Sequence, residues 1–76
     1  MNTGQEYLTK EKYDELEQEL EHLKTAKRRE IAKSLEHAKS FGDLAENAEY
    51  DEARAAQANL EERILKLKSI LKRAVI

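Results

Sequence analysis

The sequence predicts an all-α fold: a long antiparallel two-helix coiled-coil hairpin with an acidic tip loop. Three observations predict it. Hydrophobic and charged residues each make up 39% of the 76 residues, and proline is absent, so the apolar side chains can fill a narrow seam but not a globular core. Apolar residues recur at alternating steps of three and four on both sides of Gly42. Blocks of opposite charge face each other when the chain is folded at its midpoint.

The first helix is expected over about residues 9–41, after a lead-in of residues 1–8. Thr9 is a favourable N-cap, and Leu8 and Tyr13 stand at the two positions of a hydrophobic staple. The stripe of the first helix comprises Tyr13, Leu16, Leu20, Leu23, Lys27, Ile31, Leu35 and Ala38. Its rhythm slips by one residue after Lys27, which interrupts the apolar run.

The tip is expected over about residues 42–46 and the second helix over about 47–74. Gly42 suits the end of a helix because it tolerates a left-handed backbone. The second helix keeps an unbroken heptad rhythm. Its stripe comprises Tyr50, Ala53, Gln57, Leu60, Ile64, Leu67, Leu71 and Ala74.

The numbering of the two stripes predicts the direction of the second helix. In an antiparallel hairpin, facing residues have numbers that add to a constant, and the two stripes pair in this way with a bend between Asp43 and Leu44. The constant rises by one at the slip. Leu16 facing Leu71 and Leu20 facing Leu67 are expected to contribute most of the stability.

Charge supports the same direction. Residues 1–23 carry net charge −5 and would face residues 63–76 at +5, while residues 24–39 at +4 would face residues 43–62 at −6. A parallel homodimer would instead set like charges together. Because exposed ion pairs contribute little stability, the pattern selects direction more than it stabilises.

The acids of the tip allow two interpretations. Asp43 can cap the second helix, with Glu46 three residues on as in a capping box, and Asn47 is another possible cap. Alternatively, Asp43 and Glu46 point outward and bind a metal ion. Two carboxylates alone bind Mg²⁺ weakly, so such a tip would have to complete a site on another molecule.

The segment from Gly42 to Tyr50, with the sequence GDLAENAEY, closely resembles the tip signature of the Gre transcript cleavage factors of bacterial RNA polymerase. The resemblance extends over nearly all 76 residues, including the run from Glu19 to Lys24 and the closing Ala74–Val75–Ile76. Leu44 and Glu49 favour the GreA type. Arg29 is a departure, because the family usually has proline there.

The resemblance implies a transcription elongation factor that is not itself an enzyme. Its hairpin would enter the secondary channel of RNA polymerase, and Asp43 and Glu46 would help hold a Mg²⁺ ion shared with the polymerase active site. Polymerase would then cleave the extruded RNA 3′ end of a backtracked complex. Lys39 and Arg54 match basic positions attributed to RNA contact, although Lys39 could pair with Glu49 instead. Gly42, Asn47, Glu49 and Tyr50 would shape the tip.

The resemblance also implies a C-terminal FKBP-like domain that these 76 residues do not include and a place among DNA-binding transcription proteins. Because nothing in the sequence resembles a signal peptide, a cytoplasmic location is expected. We expect a monomeric hairpin, with weak self-association as an alternative, and no membrane partner, since no apolar run is long enough. Two other functions stay open: a coiled-coil interaction module whose acids only cap a helix, and an inhibitor of the same channel without cleavage activity.

Overall fold

A computed structural model describes residues 4–43 and 46–76, which form two helical arms. The first arm comprises helix α1 (Lys10–His22), a π turn (Leu23–Lys27) and helix α2 (Arg28–Lys39). Its N-cap is Thr9, as predicted, because the Thr9 hydroxyl accepts a hydrogen bond from the Lys12 backbone N–H at 3.1 Å. The second arm is helix α3 (Ala48–Arg73).

The π turn lies where the apolar stripe of the first arm slips. The Arg28 backbone N–H donates to the carbonyl oxygen of Leu23, five residues earlier, whereas an α-helix bonds four residues back. This wider turn takes up one extra residue. Leu20 before it and Ile31 after it therefore pack in the same apolar cluster.

The two arms fold back on each other as a hairpin. Side-chain contacts join Glu19 to Arg63, Arg28 to Glu61 and, nearest the bend, Asn47 to the backbone of Ala38. Partner numbers on the second arm thus fall as those on the first arm rise. The Cα atoms span 49 × 26 × 12 Å, close to the roughly 45 Å expected for arms of about 30 residues.

The core is a single seam between the arms. All its buried apolar residues lie on the two predicted stripes: Leu16, Ile31, Ala38, Ala53, Leu60, Ile64 and Leu67. Of the two leucine pairs expected to stabilise the seam most, Leu16 and Leu67 are buried, whereas Leu20 and Leu71 are half-buried. A cluster of buried apolar side chains comprises Ile31, Leu60 and Ile64. Near the bend, Ala38 is 1% exposed, so small side chains also fill the seam there.

Two ion pairs, each with two hydrogen bonds, join the arms beside the seam. On the first arm, one lies before the π turn and the other directly after it. The guanidinium of Arg28 donates to Glu61 at 2.9 and 2.7 Å, and that of Arg63 donates to Glu19 at 2.8 and 3.0 Å. These hydrogen bonds lower the pKa of the Glu61 and Glu19 carboxyl groups below their ordinary values. Both pairs join the oppositely charged blocks that the sequence pairs across the hairpin.

The ends of the hairpin are joined by a short parallel strand pair that the sequence analysis did not anticipate. Strand β1 (Glu6–Tyr7) pairs with β2 (Ala74–Val75), and the Leu8 N–H donates to the Val75 carbonyl at 2.9 Å. Arg73 lies 3.7 Å from the Glu6 carboxylate. Across the described residues, no helix has an apolar stretch that would span a bilayer.

Candidate functional site

The first arm ends in a short turn that leads into the bend. The last helical residue is Lys39, and the Gly42 N–H donates to its carbonyl at 3.1 Å. Gly42 has φ of +90°, and a Cβ there would meet no atom within 4 Å. The turn therefore favours glycine for its left-handed backbone and not for lack of space, as the sequence predicts.

The second arm begins at a buried cap, Asn47. Its Oδ1 accepts from the Tyr50 N–H at 3.1 Å, while its Nδ2 donates to the Ala38 carbonyl at 2.6 Å. Asn47 is 8% exposed and is the only buried polar residue in the described part of the chain. One side chain thus caps the second arm and ties it to the first.

This arrangement decides between the capping interpretations. The N-cap of the second arm is Asn47, so the expectation that Asp43 caps this helix is wrong and its alternative is confirmed. The sequence signal for Asn47 was its place before the helix. Its contact with Ala38 had no sequence signal, because it depends on how closely the arms approach.

The carboxylates of the tip face solvent. Asp43, Glu46 and Glu49 are all exposed and line one open concavity of about 480 Å³ together with Phe41, Asn47 and Ala48. The backbone N–H of Asp43 donates to the Phe41 carbonyl at 3.2 Å. Leu44 and Ala45, which include the predicted bend point and one of the GreA-type positions, lie outside the described residues.

The donor set at the tip fits a metal ion only in part. Carboxylate oxygens are suitable ligands for Mg²⁺, which keeps several waters and uses one or two carboxylates. However, the described residues contain no group of three histidine, cysteine, aspartate or glutamate side chains placed to bind a metal ion. Asp43 and Glu46 thus offer carboxylate oxygens at the bend without belonging to such a group among the described residues.

The two predicted RNA-contact residues are exposed. Lys39 ends the first arm and Arg54 lies in the second turn of α3. Neither forms an ion pair with a described residue, so the alternative pairing of Lys39 with Glu49 is not found. In contrast, Arg28 and Arg63 are both paired across the arms. Tyr50 is half-buried and contributes its backbone N–H to the Asn47 cap.

Comparison with known proteins identifies similar chains. The family described as "Transcription elongation factor, N-terminal" matches residues 6–76. The transcription elongation factor GreA of Clostridioides difficile (strain 630) is 57% identical over 77 aligned residues, which cover 100% of this chain and 48% of the relative. GreA of Acetivibrio thermocellus is 55% identical over 91% of this chain and 43% of the relative.

The matched region is a part of each relative. GreA of Macrococcus caseolyticus is 48% identical over 100% of this chain and 49% of its own length. The chain therefore spans about half the length of the curated relatives it matches. No solved structure matches the chain.

Proposed function

Because this chain belongs to the family of transcription elongation factor N-terminal domains, we propose that it acts as an accessory factor of bacterial RNA polymerase. The family assignment rests on residues 6–76 and on relatives named transcription elongation factor GreA. Polymerase itself would supply the reaction centre, and this chain would supply side chains to it.

The proposed action is stimulation of RNA cleavage in backtracked complexes. The hairpin would be an antiparallel coiled coil that enters the secondary channel and brings its acidic tip to the active centre. The observation that carries this proposal is that Asp43 and Glu46 are exposed on one concavity at the bend end of the hairpin. The narrow dimensions of 26 and 12 Å across the long axis suit entry into a channel.

The carboxylates of Asp43 and Glu46 would add ligands to a magnesium site that polymerase holds incompletely. When bound, such an ion lowers the pKa of an attacking water and stabilises the leaving oxygen in phosphodiester hydrolysis. Their oxygens would also accept hydrogen bonds from that water and so orient it toward the phosphorus. The N-cap hydrogen bond of the second arm is made by Asn47 and by neither of these carboxylates.

Lys39 and Arg54 would hold the RNA backbone near the tip. Both cations are exposed and lack an ion pair with a described residue, so binding a phosphate would not break an existing pair. Contacts of this kind are strong, independent of sequence and weakened by salt. They would keep the extruded RNA beside the acids without selecting its sequence.

The test is a cleavage assay with RNA labelled at its 5′ end in a backtracked complex, at neutral pH with Mg²⁺. Asp43→Asn combined with Glu46→Gln should reduce the rate of RNA shortening at least about tenfold while helicity stays unchanged. The matched control is Asp51→Asn with Glu52→Gln, which removes the same charge from exposed positions on α3 outside the tip concavity.

Three results would contradict the proposal. The first is full stimulation by the Asp43 and Glu46 double variant. The second is an equal loss in the control variant, which would make net charge the cause. The third is inhibition of RNA synthesis with no shortened RNA, which would favour the channel inhibitor.

A further inference from the structure

The proposed function does not explain how the tip itself binds the RNA 3′ end. The tip concavity is lined by the carboxylates of Asp43, Glu46 and Glu49, and like charges repel a phosphodiester. Lys39 and Arg54 can attract phosphates farther back along the arms. Because the proposed shared metal ion is what would bring a phosphate close to these carboxylates, a direct side-chain contact inside the concavity favours an uncharged part of the nucleotide, the sugar or the base.

One uncharged side chain in this concavity is large and exposed. Phe41 is 56% exposed and lines the same concavity as the acids. The other large hydrophobic residues that are strongly exposed within the described chain, Tyr7, Leu65 and Ile76, lie away from the bend, in β1, in α3 and after β2. Tyr50, which also lies near the tip, is half-buried.

The ring of Phe41 is held in place from one side. His37 lies one helical turn earlier, and the two ring centroids are 5.1 Å apart at an interplanar angle of 74°, an edge-to-face arrangement. An edge-to-face contact of this kind favours the observed orientation of the Phe41 ring over others before any ligand arrives. A ring that is already ordered loses less conformational entropy when a planar ligand stacks on it.

From these observations we infer that Phe41 is a substrate-binding residue, whose ring stacks against the base of the nucleotide at the extruded RNA 3′ end. The inference rests on the proposed function and adds the part of the substrate that the tip recognises. Every base has an aromatic face, so such stacking tolerates all sequences. It also needs no positive charge, which suits a contact beside three carboxylates.

The alternative role of Phe41 is structural: its contact with His37 could stabilise the last turn of the first arm. The two roles differ in what they require of the RNA. A structural role is indifferent to the base, whereas stacking disappears when the base is removed. Substituting both the side chain and the base therefore separates them, as in a double-mutant cycle.

The experiment uses the 76-residue chain and two backtracked complexes, one with RNA ending in adenosine and one ending in an abasic nucleotide. The variants are Phe41→Leu, which keeps an apolar side chain without a ring, and Phe41→Trp, which keeps a stacking surface. The measured quantity is the chain concentration that gives half-maximal cleavage. Circular dichroism checks that the variants keep their helicity.

We expect Phe41→Leu to raise this concentration about 5- to 100-fold with the adenosine end, the range for losing one stacked base. With the abasic end the change should be less than about twofold, and Phe41→Trp should stay close to the original with both RNAs. Equal losses on both RNAs, or no loss on either, would overturn the inference while leaving cleavage stimulation intact. Failure of the unsubstituted chain to stimulate cleavage would overturn the proposed function and the inference with it.

Discussion

Asn47→Ala should destabilise the hairpin more than any other single polar substitution near the bend. It removes two hydrogen bonds at once, one from the Tyr50 N–H to Oδ1 and one from Nδ2 to the Ala38 carbonyl. Loss of an N-cap costs about 1 kcal/mol. The Ala38 carbonyl keeps the hydrogen bond from the Phe41 N–H, so the second loss costs about 1 kcal/mol and not a full desolvation penalty.

The sum is about 2 kcal/mol, a large share of the roughly 4 to 11 kcal/mol expected for a chain of this length. Because a domain of this size loses about 4 to 8 °C of melting temperature per kcal/mol, the midpoint should fall by roughly 10 °C. The assay is thermal and urea unfolding followed by circular dichroism at the helix band.

A second substitution separates the two hydrogen bonds. Asn47→Ser keeps an N-cap oxygen for the Tyr50 N–H but cannot donate from the position of Nδ2 to Ala38. It should therefore lose about half as much stability as Asn47→Ala. A loss below about 0.5 kcal/mol for Asn47→Ala would refute the claim that this side chain ties the arms together. Equal losses for both variants would show that the cap contributes nothing measurable.

Three further predictions concern the seam, the ion pairs and the π turn. Leu67→Ala, at a side chain that is 0% exposed, should lower the free energy of unfolding measured in urea by about 2 to 5 kcal/mol. Leu65→Ala, at a side chain that is 67% exposed, should change the same free energy by less than about 0.5 kcal/mol. The hydrogen bond from Arg63 lowers the folded-state pKa of Glu19 below its ordinary 4.5, so this pair stabilises above that pH and is lost as the pH falls through the lowered value. Glu19→Gln should therefore be less stable than the original at pH 7, by under about 1 kcal/mol because the pair is partly exposed. This difference should shrink as the pH falls below 4.5 and vanish below the lowered pKa of Glu19. Deletion of Ala26 should remove the π turn and leave the melting temperature unchanged or higher, and a drop as large as that of Leu67→Ala would contradict this.

The seam could be predicted from the sequence because burial in a two-helix hairpin follows a simple periodicity. A position on the stripe, such as Ile64 or Leu67, faces the other arm wherever the helices are long enough. The relative burial along the seam could not be predicted, because it depends on local distances between the arms. Leu20 is thus half-buried although its stripe position resembles that of Leu16.

In the candidate site, the role of one residue could be predicted from the sequence and that of another only in part. Gly42 could be assigned a left-handed backbone because the physical requirement acts on that residue alone. The role of Asn47 could not be assigned fully, since its second hydrogen bond reaches Ala38 on the other arm. The strand pair between β1 and β2 had no signal at all, because two-residue strands are too short to show an alternating pattern.

The π turn accommodates one extra residue of the first arm and so preserves the geometry of the bend. One extra residue in a regular α-helix rotates everything beyond it by about 100°, which would turn the stripe of α2 away from α3. The wider turn at Leu23–Lys27 absorbs that residue, so that Ile31 and Ala38 remain buried against the second arm. The Ala38 carbonyl can then accept the hydrogen bond from Asn47. The contact between Ala38 and Asn47 therefore depends on how the first arm accommodates its extra residue.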